Sequence, residues 1–216
     1  MMNELIRGAL RFQSGAFEDR KALFADLANG QSPDTLFITC ADSRIDPNLV
    51  TQTDPGELFV CRNAGNIVPP HSAHAGGETA SLEYAVAVLG VRDIVVCGHS
   101  DCGAMKGALN PDALQDLPHV HDWIDHSRAA VEAVRATKGK AGIEELDAIT
   151  EQNVVLQLQH LKTHPVVAAR LANSDIAMHG WVYDIETGAI RAWDEDEQRF
   201  VSLAERYAEF AADAVA

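Results

Sequence analysis

Two short stretches carry side chains that could do chemistry together: Cys40-Ala41-Asp42-Ser43-Arg44, and His99-Ser100-Asp101-Cys102, with His99 standing 59 positions after Cys40. Two sulfurs and one imidazole form a donor set that suits zinc, and three protein ligands leave one position of a tetrahedral ion open to water. That is the arrangement of a catalytic site, and neither stretch supplies a fourth Cys or His to close it. Cys40, His99 and Cys102 are therefore candidate metal ligands. The same residues also fit a buried strand cysteine and a satisfied turn histidine, because lone cysteines commonly fill cores. Spacing alone leaves the two possibilities open.

The elements that must position these residues are visible as apolar runs. Thr35 to Thr39 leads into the first stretch and Asp93 to Gly98 into the second, so both read as short buried strands that end in a loop. Strands apolar on both faces belong to a parallel sheet covered by helices on each side. In such sheets ligands collect beyond the carboxyl ends of the strands. Glu57 to Arg62, Asp175 to Asp184 and Ala189 to Trp193 read as further strands, the last joined to its neighbour by the Glu186-Thr187-Gly188 turn. Leu82, Ala85, Val86 and Leu89 mark a helix that Gly90 ends, and Val120 to Val134 marks one long helix. Ile143 to Leu161 supplies another with a less regular stripe, and Thr163 to Leu171 a short one. The fold class is α/β: a central, mainly parallel sheet with an added antiparallel edge strand and helices on both faces. Leading helices at about 3–29, a core at about 31–195 and a C-terminal helix at about 199–215 make one domain over 1–216.

Asp42 and Arg44, at i and i+2 beyond the first cysteine, can form a bidentate carboxylate–guanidinium pair in a tight turn. An isolated Asp-Ser-Arg is equally an exposed surface pair of little energetic weight. Around it stand Pro55-Gly56-Glu57-Leu58-Phe59, Arg62-Asn63-Ala64-Gly65-Asn66, Glu83-Tyr84-Ala85-Val86 and Gly98-His99-Ser100-x-Cys102-Gly103. Together these motifs resemble the β-class carbonic anhydrases, from about Gln31 to Met105 and again at His179-Gly180-Trp181, and they stand closest to the plant-like, open-site subclass.

The resemblance implies reversible hydration of CO2 to bicarbonate and a proton by hydroxide on one Zn2+ per chain, held by Cys40, His99 and Cys102. Asp42 and Arg44 would be the catalytic dyad, with Asp42 a fourth metal ligand only in a closed form. Gln31, Phe59, Ala64, Tyr84 and Gly103 would line the substrate pocket. Ala64 stands where a larger aliphatic residue is expected, which leaves room for a CS2 or COS hydrolase as an alternative, beside a non-catalytic zinc-stabilised scaffold. The matching positions for bicarbonate control in another subclass are Phe37, Arg62 and Tyr183, and the expected Trp is missing. The leading helices would pack on a partner subunit in a homodimer or a tetramer of dimers, with Gln31, Phe59 and Tyr84 near the subunit boundary.

Composition narrows the partners. With 32 acidic residues against 17 Lys and Arg, the formal charge of −15 disfavours nucleic acid and anionic membrane and is compatible with a small substrate. No apolar stretch is long enough to span a bilayer and no signal-like segment opens the chain, so a cytoplasmic protein is expected, free or in a microcompartment. Cys61 and Cys97 lie inside strand-like runs and read as core. His119, His121 and His126, beside Asp122 and Asp125, read as a solvated face, while His71 and His74 could relay protons.

Overall fold

The computed structural model describes residues 1–74 and 76–211. They fall into two compact units, Met1–Ser32 and Pro33–Ala216.

The first unit contains α1 (Met2–Ser14), α2 (Ala16–Asp19) and α3 (Lys21–Leu27). The leading helices expected at about 3–29, the second of them over Phe17 to Asn29, are three, because Arg20 leaves the helical region at φ −113° and ψ 21°. Phe12, Phe17 and Phe24 gather their rings at centroid distances of 5.2 to 5.9 Å. Helix α1 buries none of its residues, and Leu5, Ile6 and Leu10 are all exposed.

The second unit is built on six strands: β1 (Thr35–Cys40), β2 (Leu58–Asn63), β3 (Asp93–His99), β4 (Ala177–Tyr183), β5 (Ile190–Asp194) and β6 (Arg199–Ser202). Their order is β2-β1-β3-β4-β5-β6, with the first four parallel and the last two added antiparallel. The antiparallel edge thus has a second strand. The C-terminal helix expected from Arg199 is corrected there: Arg199-Phe200-Val201-Ser202 pairs with β5, and Val201 is buried opposite Ala192. Short helices α11 (Leu203–Arg206) and α12 (Ala208–Ala211) come next, and the rest of the expected helix lies outside the described residues.

Between the strands run α4 (Pro47–Thr51), α5 (Gly77–Glu83), α6 (Gly103–Leu109), α7 (Pro118–Ile124), α8 (Arg128–Lys138), α9 (Leu146–Lys162) and α10 (Pro165–Ala172). Helix α5 widens into a π-helical segment over Tyr84–Leu89, which Gly90 ends in the left-handed conformation, φ +72°. The single helix expected over Val120 to Val134 is two helices, divided by a 3₁₀ turn at Asp125–Ser127 around the buried Ser127.

Helix α9 shows why its stripe is irregular: apolar and polar side chains are buried on several sides, Val154 and Leu158 beside Asn153 and Gln157. It lies close against the sheet because β3 and β4 carry glycines beneath it. A Cβ on Gly98 would come within 2.9 Å of Val154 Cγ2, and one on Gly180 within 2.9 Å of Val154 Cγ1. On the opposite face Phe37, Val95 and Cys97 pack with Trp181 and Tyr183. There Phe37, Val95 and Trp181 border an apolar groove of about 640 Å³ that Leu203 and Tyr207 also line.

Candidate active site

Pairing of β1 with β3 sets Thr39 opposite Cys97, so Cys40 and His99 close adjacent parallel strands at the same end. Cys102 lies three residues after His99 as the N-cap residue of α6, and the backbone between them turns through Asp101 at φ +57°. The three side chains are buried, and one ligand atom from each lies within 4.8 Å of the others. Among the described residues this is the one cluster of three or more potential ligands.

His99 Nδ1 is 2.8 Å from the Ser100 carbonyl, which can only accept, so Nδ1 carries the proton and Nε2 bears the lone pair. That buried Nε2 has no hydrogen-bond partner. A bare imidazole nitrogen facing two sulfurs fits a soft divalent cation and leaves an unmet acceptor otherwise. The Cys102 thiol, helped by the Gly65 amide, holds the Cys40 thiol far below its ordinary value against burial, while Cys40 and burial push Cys102 up. Thiolate character at Cys40 suits metal ligation, which takes deprotonated sulfur. By contrast burial pushes Cys97 up to about 12 and also raises Cys61, as suits core thiols.

Beside the cluster stands Asp42, whose Oδ2 is 3.9 Å from His99 Nε2. Arg44 donates from Nε to Asp42 Oδ1 at 2.9 Å and from Nη2 to Oδ2 at 2.8 Å, and its own amide donates to Oδ1 at 3.0 Å. This bidentate grip depresses the Asp42 carboxyl well below the usual range, so it is an acceptor with no proton to give. Arg62, from β2, donates to the carbonyls of Cys40 at 3.1 Å and Asp42 at 2.7 Å and so pins the turn between them.

A second support comes from the loop after β2. Gly65, at φ +85°, donates its amide to Cys40 Sγ at 3.3 Å. Asn153 donates to the Gly65 carbonyl at 3.1 Å and accepts from Gln157, which accepts from the Val68 amide. His160 Nδ1 lies 2.8 Å from the Val68 carbonyl. These α9 residues, spaced i, i+4, i+7, hold the loop that supplies the donor to the thiolate.

A sequence profile of the carbonic anhydrase family matches residues 35–190. A carbonic anhydrase of Pseudomonas aeruginosa is 53% identical over 204 residues, covering 94% of this chain and 93% of that protein. Carbonic anhydrase 1 of Escherichia coli O157:H7 is 49% identical over 203 residues, 94% of this chain and 93% of its own. The solved β-carbonic anhydrase CcaA superposes with a TM-score of 0.90 at 45% identity, over 93% of this chain and 98% of that one. The chain belongs to the β-class carbonic anhydrases. Also similar is a tetrameric β-carbonic anhydrase from Sordaria macrospora, with a TM-score of 0.79 at 29% identity over 88% and 95% of the two chains.

Within this family member the expected pocket residues are distributed unevenly. Ala64 and Gly103 adjoin the cluster in sequence, one before Gly65 and the other after Cys102. The Ala64 carbonyl accepts from Trp123 Nε1 at 2.8 Å, so an indole from α7 leans on the position where a larger side chain is expected. Phe59 and Tyr84 do meet, with ring centroids 6.0 Å apart. The register pairs Leu36 with Phe59 and Cys40 with Asn63, so Phe59 sits four residues back from the Cys40 end of the sheet. That is roughly 13 Å along the strand, too far to line the same chain's cluster. Gln31 lies in the first unit.

Sequence reasoning missed Trp123, Asn153, Gln157 and His160, and it gave Asp101 no role. A signal existed only for the α9 trio, as polar residues recurring on one side of an otherwise apolar helix. The histidines of α7 are as expected on its exposed side, His121 pairing with Asp122 at 3.3 Å. His126 is half-buried, its ring 6.0 Å from that of Trp123.

Proposed function

We propose that this chain catalyses the reversible hydration of CO2 to bicarbonate and a proton, with Zn2+ held by Cys40, His99 and Cys102. The observation that carries this is the bare His99 Nε2 facing two sulfurs, with an ionised Asp42 alongside. Zinc bound there supplies a Lewis acid and an acidified water at its open position. Asp42, kept ionised by Arg44, accepts a hydrogen bond from the attacking hydroxyl. Because it can only accept, it turns that hydrogen away from CO2 and leaves an oxygen lone pair directed at carbon. Arg44 keeps the carboxylate from swinging into the ligand set, which supports an open form. Arg62 is engaged with the Cys40 and Asp42 carbonyls and Phe37 is buried against Trp181, which supports activity without bicarbonate control.

Gln31, Phe59 and Tyr84 complete the substrate pocket of a neighbouring subunit in a homodimer or a tetramer of dimers. Two features support assembly: the exposed apolar stripe of α1, and the groove on the Phe37 face of the sheet. Each chain acts as one functional domain in the cytoplasm. Among the described residues no helix is long and apolar enough to cross a membrane.

Two thiolates offset the charge of zinc, so its water is acidified less than at a neutral three-histidine site, where its pKa is about 7. Hydration is expected to climb on the alkaline side. Chelation should abolish it and one equivalent of zinc per chain should restore it. Activity that survives complete zinc removal, or that is already maximal near pH 6, would contradict the assignment.

A further inference from the structure

Arg44 has work beyond Asp42 that its position makes difficult. Its side chain is 43% exposed and faces a cavity of about 540 Å³ lined by Glu144, Asp147, Asp184 and Glu186 as well as by Asp101. A guanidinium that turned into this cavity would meet carboxylates there, and one that leaves Asp42 releases the carboxylate beside the ligand cluster.

Asp101 meets Arg44 twice. Arg44 Nη1 donates to Asp101 Oδ2 at 3.1 Å, and Nη2, which also serves Asp42, donates to the Asp101 carbonyl at 3.3 Å. The other carboxylate oxygen of Asp101 pairs with Lys106, one turn into α6. To present both its carbonyl and its side chain to one guanidinium, Asp101 adopts φ +57°, a left-handed conformation that costs a residue with a Cβ and that Asp tolerates better than most. The fork of Arg44 is thus fixed at both ends, by Asp42 on the cluster side and by Asp101 on the cavity side.

We propose that Asp101, itself held by Lys106, is a positioning residue that keeps Arg44 on Asp42 against the acidic wall of the neighbouring cavity. This rests on the dyad described above. Exposed ion pairs contribute little to stability, so the consequence of losing Asp101 falls on the geometry of the dyad and not on the fold.

The test compares zinc-loaded wild-type protein with Asp101→Gly, Asp101→Asn and Asp42→Asn in CO2 hydration, thermal unfolding and crystal structures. Glycine accommodates the left-handed backbone, so Asp101→Gly removes the carboxylate without adding strain. Its kcat is expected to fall about tenfold, the lower end of what losing the Arg44 guanidinium itself should cost, with KM within about twofold and an unaltered Tm. Asp101→Asn, which keeps an acceptor oxygen, should recover part of that loss. In the Asp101→Gly crystal structure Arg44 should have turned from Asp42 toward Glu144 or Asp147. An Asp101→Gly enzyme with wild-type kcat, or one whose Arg44 still grips Asp42, would overturn the proposal. Full activity in Asp42→Asn would overturn the dyad itself. Loss of activity in Asp42→Asn with none in either Asp101 variant would remove only the role of Asp101.

Discussion

Replacing Gly65 by Ala should damage fold and site together, by an amount the structure lets us work out. Gly65 holds φ +85°, and a left-handed backbone costs a residue with a Cβ roughly 1–2 kcal/mol. The added methyl would also lie 2.9 Å from Ala104 Cβ and 3.2 Å from Met105 Cε, beneath α6. Relieving such overpacking costs typically about 1–3 kcal/mol. Together the two effects come to about 2–5 kcal/mol, which for a chain of this size lowers Tm by about 10 °C. Gly90→Ala is the matched control: its φ is +72°, but a Cβ there meets nothing within 4 Å, so it isolates the backbone contribution. Thermal unfolding of the zinc-loaded proteins monitored by circular dichroism reads both. Gly65→Ala should also lose activity, since relieving the clash displaces the amide that donates to Cys40 Sγ. A Gly65→Ala protein no less stable than Gly90→Ala would refute the packing argument.

Removing the guanidinium in Arg44→Ala takes two side-chain hydrogen bonds from Asp42 and should lower kcat by about 10–100-fold at unchanged zinc content, measured by stopped flow. Arg44 depresses the Asp42 carboxyl in the folded state. Its contribution to stability is therefore present above the unfolded carboxyl pKa and is lost as pH falls toward the folded value, so Tm should fall as pH drops below about 4. Burial lowers His160 in the folded state, so its contribution is present above about pH 6.5 and is lost as pH falls below that. The Tm of His160→Gln, relative to wild type, should consequently fall less between about pH 7 and 5.5; parallel curves would contradict this.

The parts of the molecule that can be read from the sequence are those in which local pattern and long-range role coincide. The apolar runs before Cys40 and before His99 are strands because both faces are covered, and their shared end comes from parallel pairing. The Asp42–Arg44 pair is legible because i and i+2 in a tight turn suffice to bring it about. Asp101 is not, because its function depends on Arg44, which lies 57 residues away and arrives only through the β1–β3 register. Asn153, Gln157 and His160 are hidden for a similar reason: a polar residue on a helix ordinarily faces water, and here burial by the 65–68 loop reverses that. Strand β6 reads as helix in the sequence because Ala and Glu dominate residues 203–215, while the strand itself spans only four residues. Phe59 and Tyr84 meet ring to ring, and strand register sets Phe59 back from the ligands of its own chain.

The most direct measurement is stopped-flow CO2 hydration with a pH indicator, on zinc-quantified wild-type protein and Cys102→Ala, from about pH 6.5 to about 9. We expect one zinc per wild-type chain, activity that rises smoothly with pH, and no hydration by Cys102→Ala. Wild-type protein that carries its zinc but hydrates no CO2 at any pH, or a Cys102→Ala variant that keeps the wild-type rate, would contradict the zinc-dependent carbonic anhydrase assigned to Cys40, His99 and Cys102.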